Sequence, residues 1–578
     1  MNVLGLSCWY HDAAACLLVD GVISGAASEE AFTRKKHDSR FPVSAIRWLL
    51  SNAGLSVSDV SAVVYYDKPM RKFDRAVRTQ LAVFPEGFPA FMRRMPQLVT
   101  SELQLASVLR TELGYRGPVL YSEHHLSHAA SAYFCSGWDE AAVLTVDGVG
   151  EWATSTWGVG RGNNISLLGE TRFPHSLGLL YSAVTSYLGF KVNSAEYKVM
   201  GLAPYGEPTH VDSLRKVIDV RDDGSFRLDM RYFAFDRGER MITPAFEALM
   251  GHPARAMEEG ELSAFHKDVA RSLQAIVDEV MVKLATHVVR ETGASRLCLA
   301  GGVALNCVAN GQILRNAPVS DVFVQPAAND AGGAMGAALL AWNQLLQRPR
   351  LPALRHAYLG PGWSDDEVAA ALTAHGAVYT RLERAELLEW TVDALVAGQV
   401  VGWYHGRMEW GPRALGHRSI LGDPRHPEMR DIINRKIKMR EGFRPFAPTV
   451  LEEKVSEWFE LDRPSPYMLL VAPVRPDRPP LPSITHVDGS ARIQTIARDQ
   501  DALYYDLIAR FDARTGVPVL INTSMNVRGE PMVCSPDDAY RCFMRTEMDA
   551  LVAGTFVLRK VDQPRMELKS AAEEFGLD

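Results

Sequence analysis

The chain is poor in several features that would assign it quickly to a class. Its 578 residues include seven cysteines, at 8, 16, 135, 298, 307, 534 and 542. The count is odd and no C-x-x-C pair occurs, which argues against a disulfide scaffold; the cysteines read as reduced thiols, mostly core filler. No run of 18 apolar residues is present, so no segment reads as a membrane-spanning helix. The opening stretch MNVLGLSCWYHDAAACLLVDG lacks a basic leader and is interrupted by His11 and Asp12, so it reads as a strand pair rather than a secretory signal. Positive charge is not concentrated: 62 Lys and Arg stand against 69 Asp and Glu, a net charge of −7, which gives no polycation for nucleic acid. The expectations are a cytoplasmic protein with no membrane and no nucleic-acid partner.

What is present is the composition of a globular protein, 47% apolar and 23% charged. A chain of this length exceeds one core, so two or three domains are expected. VLGLS, a polar loop holding Trp9, Tyr10, His11 and Asp12, AAACLLV, the Asp20–Gly21 turn and VISGAAS read as strand, loop, strand, turn, strand. AAVLTV, DGVGE, WATSTWGVG, RGNN and ISLLGE repeat that layout, which suggests a duplicated fold. Actin-like and sugar-kinase-like ATPases resemble this plan, with nucleotide between the halves. Phe265, Val269, Leu273, Ile276, Val277, Val280, Leu284 and Val288 recur at three and four, predicting a long amphipathic helix. Gly301 and Gly302 then lie between a strand and a new helix, and Asp330 lies in a second such loop, places where an open α/β sheet binds ligands. The Pro/Arg-rich stretch 347–363 reads as a linker between domains at 1–350 and 356–578.

Three of the 16 histidines crowd into SEHHLSHAASAY, residues 122–133. On a helix, His124 and His128 share a face and can reach one metal ion; a capping histidine beside a buried one is the competing reading. A metalloprotease is excluded because residues 125 to 127 are His, Leu and Ser, with no Glu. Beyond the linker, Arg407, Arg413, Arg418, Arg425, Arg430, Arg435, Arg440 and Arg444 accompany Lys436 and Lys438, with acids interleaved. Forked donors beside Gly-Pro and Phe-Arg-Pro turns suit small polyanions such as phosphates, although surface ion pairs account for several of them.

The stretches HDAAACLLVDG, SEEAFTRKKHDSRFP, HHLSHAASAY, VDGVGE, EYKVMGLAPYG, GGVALNCVAN, MEWGPRALGHRSIL, REGFRPFAP and INTSMNVRGEP together resemble the carbamoyltransferase family, which includes nodulation-factor and antibiotic O-carbamoyltransferases. The resemblance implies an α/β chain: a duplicated actin-like (ASKHA, TsaD-like) N-terminal domain and an α+β YrdC-like C-terminal domain. One departure is Glu29-Glu30-Ala31, where the family usually carries E-E-R.

The family route implies that carbamoyl phosphate and ATP give carbamoyl adenylate in the second domain, and that the carbamoyl group passes to a hydroxyl in the first. Arg413, Lys438, Arg440, Arg492 and Arg528, with Ser524 and Asn526, are assigned to the first step, where cations stabilise phosphorus oxyanions. Lys438 and Arg440, as a K-x-R, would point the same way on a strand. For transfer, His124, His128, Asp147 and Asp330 are the implied ligands of a divalent metal, Fe2+ or Zn2+. His11 would take the proton from the attacking hydroxyl, and Lys36 would meet a phosphate. Glu196, Lys198, Gly201, Gly301, Gly302 and Asn306 would hold the adenosine. The implied partners are carbamoyl phosphate, ATP with Mg2+ and a hydroxylated small-molecule acceptor, in a chain that forms a homodimer at the family level. The basic, aromatic stretch 70–110 reads either as a cover that shapes acceptor choice or as an ordinary helix pair. A tRNA threonylcarbamoyl enzyme and a non-catalytic actin-like protein are the competing functions.

Overall fold

The duplication is visible in the strand order. The computed structural model describes residues 1–238, 240–257, 261–440 and 442–576. It divides into two compact units: Met1–Glu29 with His37–Leu354, and Glu30–Lys36 with Arg355–Asp578. The expected boundaries at 350 and 356 take no account of Glu30–Lys36, which belongs to the second unit.

The first unit holds β1 (Asn2–Ser7), β2 (Ala14–Val19), β3 (Val22–Ser28), β4 (Val60–Tyr65) and β5 (Val119–Tyr121) in a sheet ordered β3-β2-β1-β4-β5. A second sheet is built from β6 (Glu140–Val146), β7 (Ala153–Arg161) and β8 (Asn164–Arg172), while β9 (Ile218–Val220) and β10 (Phe226–Leu228) form a separate ribbon. β11 (Arg296–Ala300) and β12 (Asp321–Val324) complete the second sheet, which reads β8-β7-β6-β11-β12 from its other edge. Each sheet is thus an antiparallel meander of three strands continued by two parallel ones. This is the actin-like duplication. The first meander turns at Asp20 and Gly21, both at positive φ (46° and 84°), as a tight hairpin turn requires.

The helices that matter for the site are α1 (Pro69–Val83), α2 (Phe88–Thr100), α3 (His124–Ser136), α4 (Ala264–Thr292) and α5 (Asp330–Leu340). The predicted apolar stripe of α4 is buried from Val269 to Val288, with Phe265 less covered. α5, DAGGAMGAALL, is made of small residues because it lies against two backbones at once. A Cβ at Gly5 on β1 would stand 1.9 Å from the Ala334 carbonyl oxygen, and one at Gly336 would stand 1.8 Å from the Ser127 carbonyl oxygen. Only glycine permits either approach. That packing brings the first residue of α5, Asp330, to the first turn of α3.

The second unit is α+β. Its strands are β13 (Thr380–Arg381), β14 (Val401–Tyr404), β15 (Arg418–Gly422), β16 (Ala447–Leu451), β17 (Leu470–Pro473), β18 (Ser490–Ile496), β19 (Val519–Ser524), β20 (Ala550–Ala553) and β21 (Phe556–Arg559). They form one mixed sheet ordered β13-β21-β20-β14-β15-β19-β16-β18-β17. Helix α6 (Ala502–Thr515) is capped by Asp501 and buries Tyr504, Leu507, Ile508 and Phe511. Arg34, in the segment Glu30–Lys36, donates to the carbonyls of Met532 (2.8 Å) and Pro531 (3.0 Å) and pairs with Glu530 (3.2 Å). Among the described residues, no helix is long and apolar enough to cross a membrane.

Candidate functional site

The segment around the three histidines folds as α3, and Glu123 at its N-cap makes no side-chain cap bond. His124 and His128 therefore share one face and turn their Nε2 atoms toward each other, 3.1 Å apart. Asp147, just past the end of β6, places Oδ2 3.1 Å from His124 Nε2 and 3.7 Å from His128 Nε2. Asp330 places Oδ1 3.6 Å and 3.5 Å from the same two atoms. All four side chains are at most 9% exposed. His125 points elsewhere: its ring is held by Thr145 Oγ1 (2.7 Å) and the Ala153 carbonyl (2.9 Å).

This geometry fits a metal ion. Bonds of about 2.0–2.2 Å in a tetrahedral shell set donor atoms about 3.3–3.6 Å apart. The five distances above span 3.1 to 3.7 Å. Asp330 Oδ1 and the Nδ1 atoms of both histidines are buried with no hydrogen-bond partner. Two buried carboxylates facing two imidazoles at such distances are costly unless a cation satisfies them.

Neighbouring groups fix the donors. Asp147 Oδ1 accepts the Gly302 N–H at 2.8 Å, and a Cβ at Gly302 would lie 2.9 Å from that oxygen. Gly301, at φ +91°, packs on the Val146 backbone. Gly302, expected to face adenosine, thus holds Asp147 in this structure. Tyr66 donates to Asp330 Oδ2 at 3.2 Å. Glu151 accepts the backbone N–H of His124 (2.9 Å) and of Lys68 (3.0 Å), tying the start of α1 to α3. Burial, with the nearby Asp67, pushes the Glu151 carboxyl up to about 7.

His11 lies in the β1–β2 loop with Nδ1 2.8 Å from Asp12 Oδ2. Asp12 Oδ1 meets His37 Nδ1 at 2.7 Å, and its Oδ2 accepts from Asn329 at 2.7 Å, one residue before Asp330. Burial pulls the His11 pKa down, but Asp330 and Asp12 outweigh it and hold it well above the usual histidine range. The sequence singles out His11 and offers Asp12 as its loop partner, a contact that forms here; His37, Asn329, Tyr66 and Glu151 give no sign in the sequence of their supporting roles.

The other expected nucleotide residues of this unit have local structural roles. Glu196 accepts from Ser182 Oγ and the Asn193 N–H, both at 2.8 Å. Lys198 is buried near the Phe190 ring, and Gly201 lies in the same short helix, Glu196–Leu202. Asn306 caps the helix Cys307–Asn316 and exchanges hydrogen bonds with Gln274 of α4. The stretch 70–110 forms the helix pair α1 and α2, and α2 donates from Gln97 to the Trp9 carbonyl at 2.9 Å, beside the His11 loop. Met70, Leu81, Phe84, Phe88 and Met92 remain exposed there.

In the second unit the K-x-R does not lie on a strand. Lys438 closes a π-helical turn, Ile433–Ile437, by donating its N–H to the Ile433 carbonyl, and Met439 follows at φ +49°. The expected parallel display of Lys438 and Arg440 therefore does not occur. Lys438 nonetheless meets the S-x-N: its Nζ donates to the Ser524 carbonyl, to Asn526 Oδ1 (2.7 Å) and to the Asn526 carbonyl (3.1 Å). Burial first, then Arg440 and Arg444, holds its pKa well below the usual lysine range. Arg440 donates to Asn434 Oδ1 at 2.8 Å and lies over Phe446. Arg492 is on β18 and opposes Val471 of β17; Arg413 and Arg528 are partly buried in loops, and Lys36 falls in the Glu30–Lys36 segment.

Family models match both parts of the chain: a carbamoyltransferase N-terminus over residues 2–339 and a carbamoyltransferase C-terminus over residues 392–560. An uncharacterized protein of Synechocystis sp. is 50% identical over the whole of both chains. The nodulation protein NolNO of Sinorhizobium fredii is 40% identical, covering 95% of this chain and 79% of that one. Among solved structures, HypF from T. kodakarensis aligns over 60% of this chain and 48% of its own at 15% identity and a TM-score of 0.33, too distant to bear on activity. The chain belongs to the carbamoyltransferase family, of the type that includes the nodulation proteins.

Proposed function

We propose that this protein is an ATP-dependent O-carbamoyltransferase. The observation that carries the reading is the convergence of His124, His128, Asp147 and Asp330 beside the His11–Asp12 pair. In the second unit, water cleaves carbamoyl phosphate to carbamate and phosphate, and a carbamate oxygen then attacks the α-phosphorus of ATP, giving carbamoyl adenylate and releasing pyrophosphate. Arg440 supplies positive charge where phosphorus oxyanions develop, and the bound phosphate favours the charged form of Lys438, held by Ser524 and Asn526, with Arg413, Arg492, Arg528 and Lys36 as further phosphate contacts. Magnesium accompanies the ATP.

In the first unit, His124, His128, Asp147 and Asp330 would hold a divalent cation, iron in preference to zinc. Such an ion supplies Lewis-acid polarisation of an oxygen on the carbamoyl donor. A cation held there would offset the charge of Asp330, one of the two carboxylates that hold His11 well above the usual histidine range. His11 Nε2 then accepts the proton of the attacking hydroxyl, while Asp12 holds Nδ1 and fixes the ring. Glu196, Lys198 and Gly201 contact the adenosine part of the donor. Water is kept from the donor by the helix pair α1 and α2, and the exposed aromatic and methionine side chains there select the acceptor. The acceptor is a hydroxylated natural product, such as an antibiotic or its sugar. The protein works in the cytoplasm as a homodimer.

The test is release of pyrophosphate from ATP that depends on carbamoyl phosphate, followed by carbamoylation of a hydroxylated panel. Incorporation of threonine and bicarbonate, with no use of carbamoyl phosphate, would replace this reading with the tRNA-type reaction. No pyrophosphate release at all would favour a non-catalytic role.

A further inference from the structure

The second unit contains another convergence of nitrogen and oxygen donors that no step above uses. β14 and β15 pair so that Tyr404 opposes Arg418. The residues just beyond that pair, His405 and His417, therefore stand side by side, with ring centroids 5.0 Å apart. Asp501 faces both from the N-cap of α6. Its Oδ1 accepts the N–H groups of Leu503 (2.9 Å) and Tyr504 (3.2 Å), which fixes the carboxylate. Its Oδ2 lies 3.0 Å from His417 Nε2.

The His417 ring is locked in orientation. Nδ1 lies 2.6 Å from the Arg407 carbonyl oxygen, and the ring stacks on Tyr358 at 3.5 Å with 5° between planes. A carbonyl can only accept, so Nδ1 carries a hydrogen and Nε2 is directed at Asp501. A neutral imidazole has no second hydrogen for that carboxylate. What sits between them is positive: a proton on Nε2 or a metal ion. An imidazole whose Nδ1–H is anchored on a backbone carbonyl is also how metal-binding histidines are oriented.

His405 distinguishes these two cases. Its Nε2 is 3.9 Å from Asp501 Oδ1, too far for a hydrogen bond, yet one donor atom from each of the three residues lies within 4.8 Å of the others. A salt bridge between His417 and Asp501 gives no reason for that third donor; coordination does. The His405 side chain is 30% exposed against 7% for His417 and 6% for Asp501, which provides a route of entry.

We propose that His405, His417 and Asp501 form a second divalent-cation site, separate from that at His124 and His128. Two imidazoles and one carboxylate select a first-row transition metal such as Zn2+ or Co2+ over Mg2+ or Ca2+. Three protein donors leave a position for water or a substrate oxygen. Ser419, two residues beyond His417, pairs with Ser524, so the site is at the same end of the sheet as Lys438. The inference does not depend on the carbamoyl chemistry.

The full chain and its His405→Ala variant would be stripped with a chelator, equilibrated with Co2+ and counted by mass spectrometry, with visible absorption reporting the ligated ion. The variant should bind one equivalent fewer, and the Kd of that equivalent should rise at least about 100-fold. Zn2+ should raise the Tm of the chain carrying His124→Ala and His128→Ala, and should no longer do so once His405→Ala is added. Equal metal content in the parent and the His405→Ala chain, with both folded by circular dichroism, would overturn the site. So would a Zn2+-induced Tm rise that survives His405→Ala in that background.

Discussion

Gly5→Ala tests whether the spacing between β1 and α5 sets the proposed metal centre. The new Cβ would fall 1.9 Å from the Ala334 carbonyl oxygen and 3.0 Å from the Ala338 Cβ. The obstructing atoms are backbone and a rigid methyl group, so no side-chain rotation relieves the clash. The helix must retreat by about an ångström or more. α5 begins at Asp330, whose Oδ1 stands 3.5 Å from His128 Nε2. Metal–donor distances are held to about 0.2 Å, so a displacement of that size removes a ligand. Two effects should appear together. Overpacking should cost about 1–3 kcal/mol of stability. Metal affinity should fall at least about 10–100-fold, with carbamoyl transfer falling alongside it. Pyrophosphate release by the second unit should be unchanged. Urea unfolding, metal titration and the two half-reaction assays read these separately. Wild-type metal affinity in a chain destabilised as expected would refute the coupling between packing and the centre.

Three further outcomes are expected. His11→Asn should leave carbamoyl phosphate-dependent pyrophosphate release intact and lower carbamoyl transfer about 10²–10⁴-fold; loss of both in half-reaction assays would remove His11 from the transfer step. Lys438→Ala should lower pyrophosphate release about 10²–10³-fold while transfer from supplied carbamoyl adenylate continues; turnover from carbamoyl phosphate at the parent rate would refute its role. Asp278, on α4, accepts from Gln274 at 2.8 Å and is pushed up to about 6 by burial. A carboxyl raised above its unfolded value opposes folding when ionised, so its penalty is full above pH 6 and vanishes as pH falls below about 4. Asp278→Asn should therefore stabilise the chain by about 1–3 kcal/mol at pH 8 and leave it unchanged near pH 4; denaturant melts at the two pH values that show equal shifts would refute this.

The parts of the fold that were legible in the sequence are those written in local chemistry. Asp20–Gly21 announces a hairpin because its residues tolerate positive φ, and the meander that follows repeats at AAVLTV. His124 and His128 announce a shared face because their spacing matches one helical turn. Asp147 and Asp330, both at strand-end loops, are joined to them by the family resemblance. What was not legible depends on tertiary packing or on rare backbone. Lys438-Met439-Arg440 has the spacing of a strand, but a π-helical turn and a left-handed Met439 decide its shape. That the Gly302 N–H holds Asp147 is seen only once the two strand-end loops pack together. The Asn306 cap and its bonds to Gln274 depend in the same way on how α4 packs. His405, His417 and Asp501 are too far apart in the chain to suggest a group before the sheet pairs β14 with β15.

The membership of Glu30–Lys36 in the second unit bears on how the protein is made. Arg34 leaves the ribosome long before Pro531 and Met532, the carbonyls it will bind. At 5–20 residues per second the intervening synthesis takes roughly 25–100 s. Throughout that interval Arg34 lacks the two carbonyls it will bind, although the strands on either side of its segment can already fold. A gene cut at the linker would deliver a C-terminal product that lacks this piece, and rejoining the two halves as separate polypeptides would not be equivalent to translating them as one.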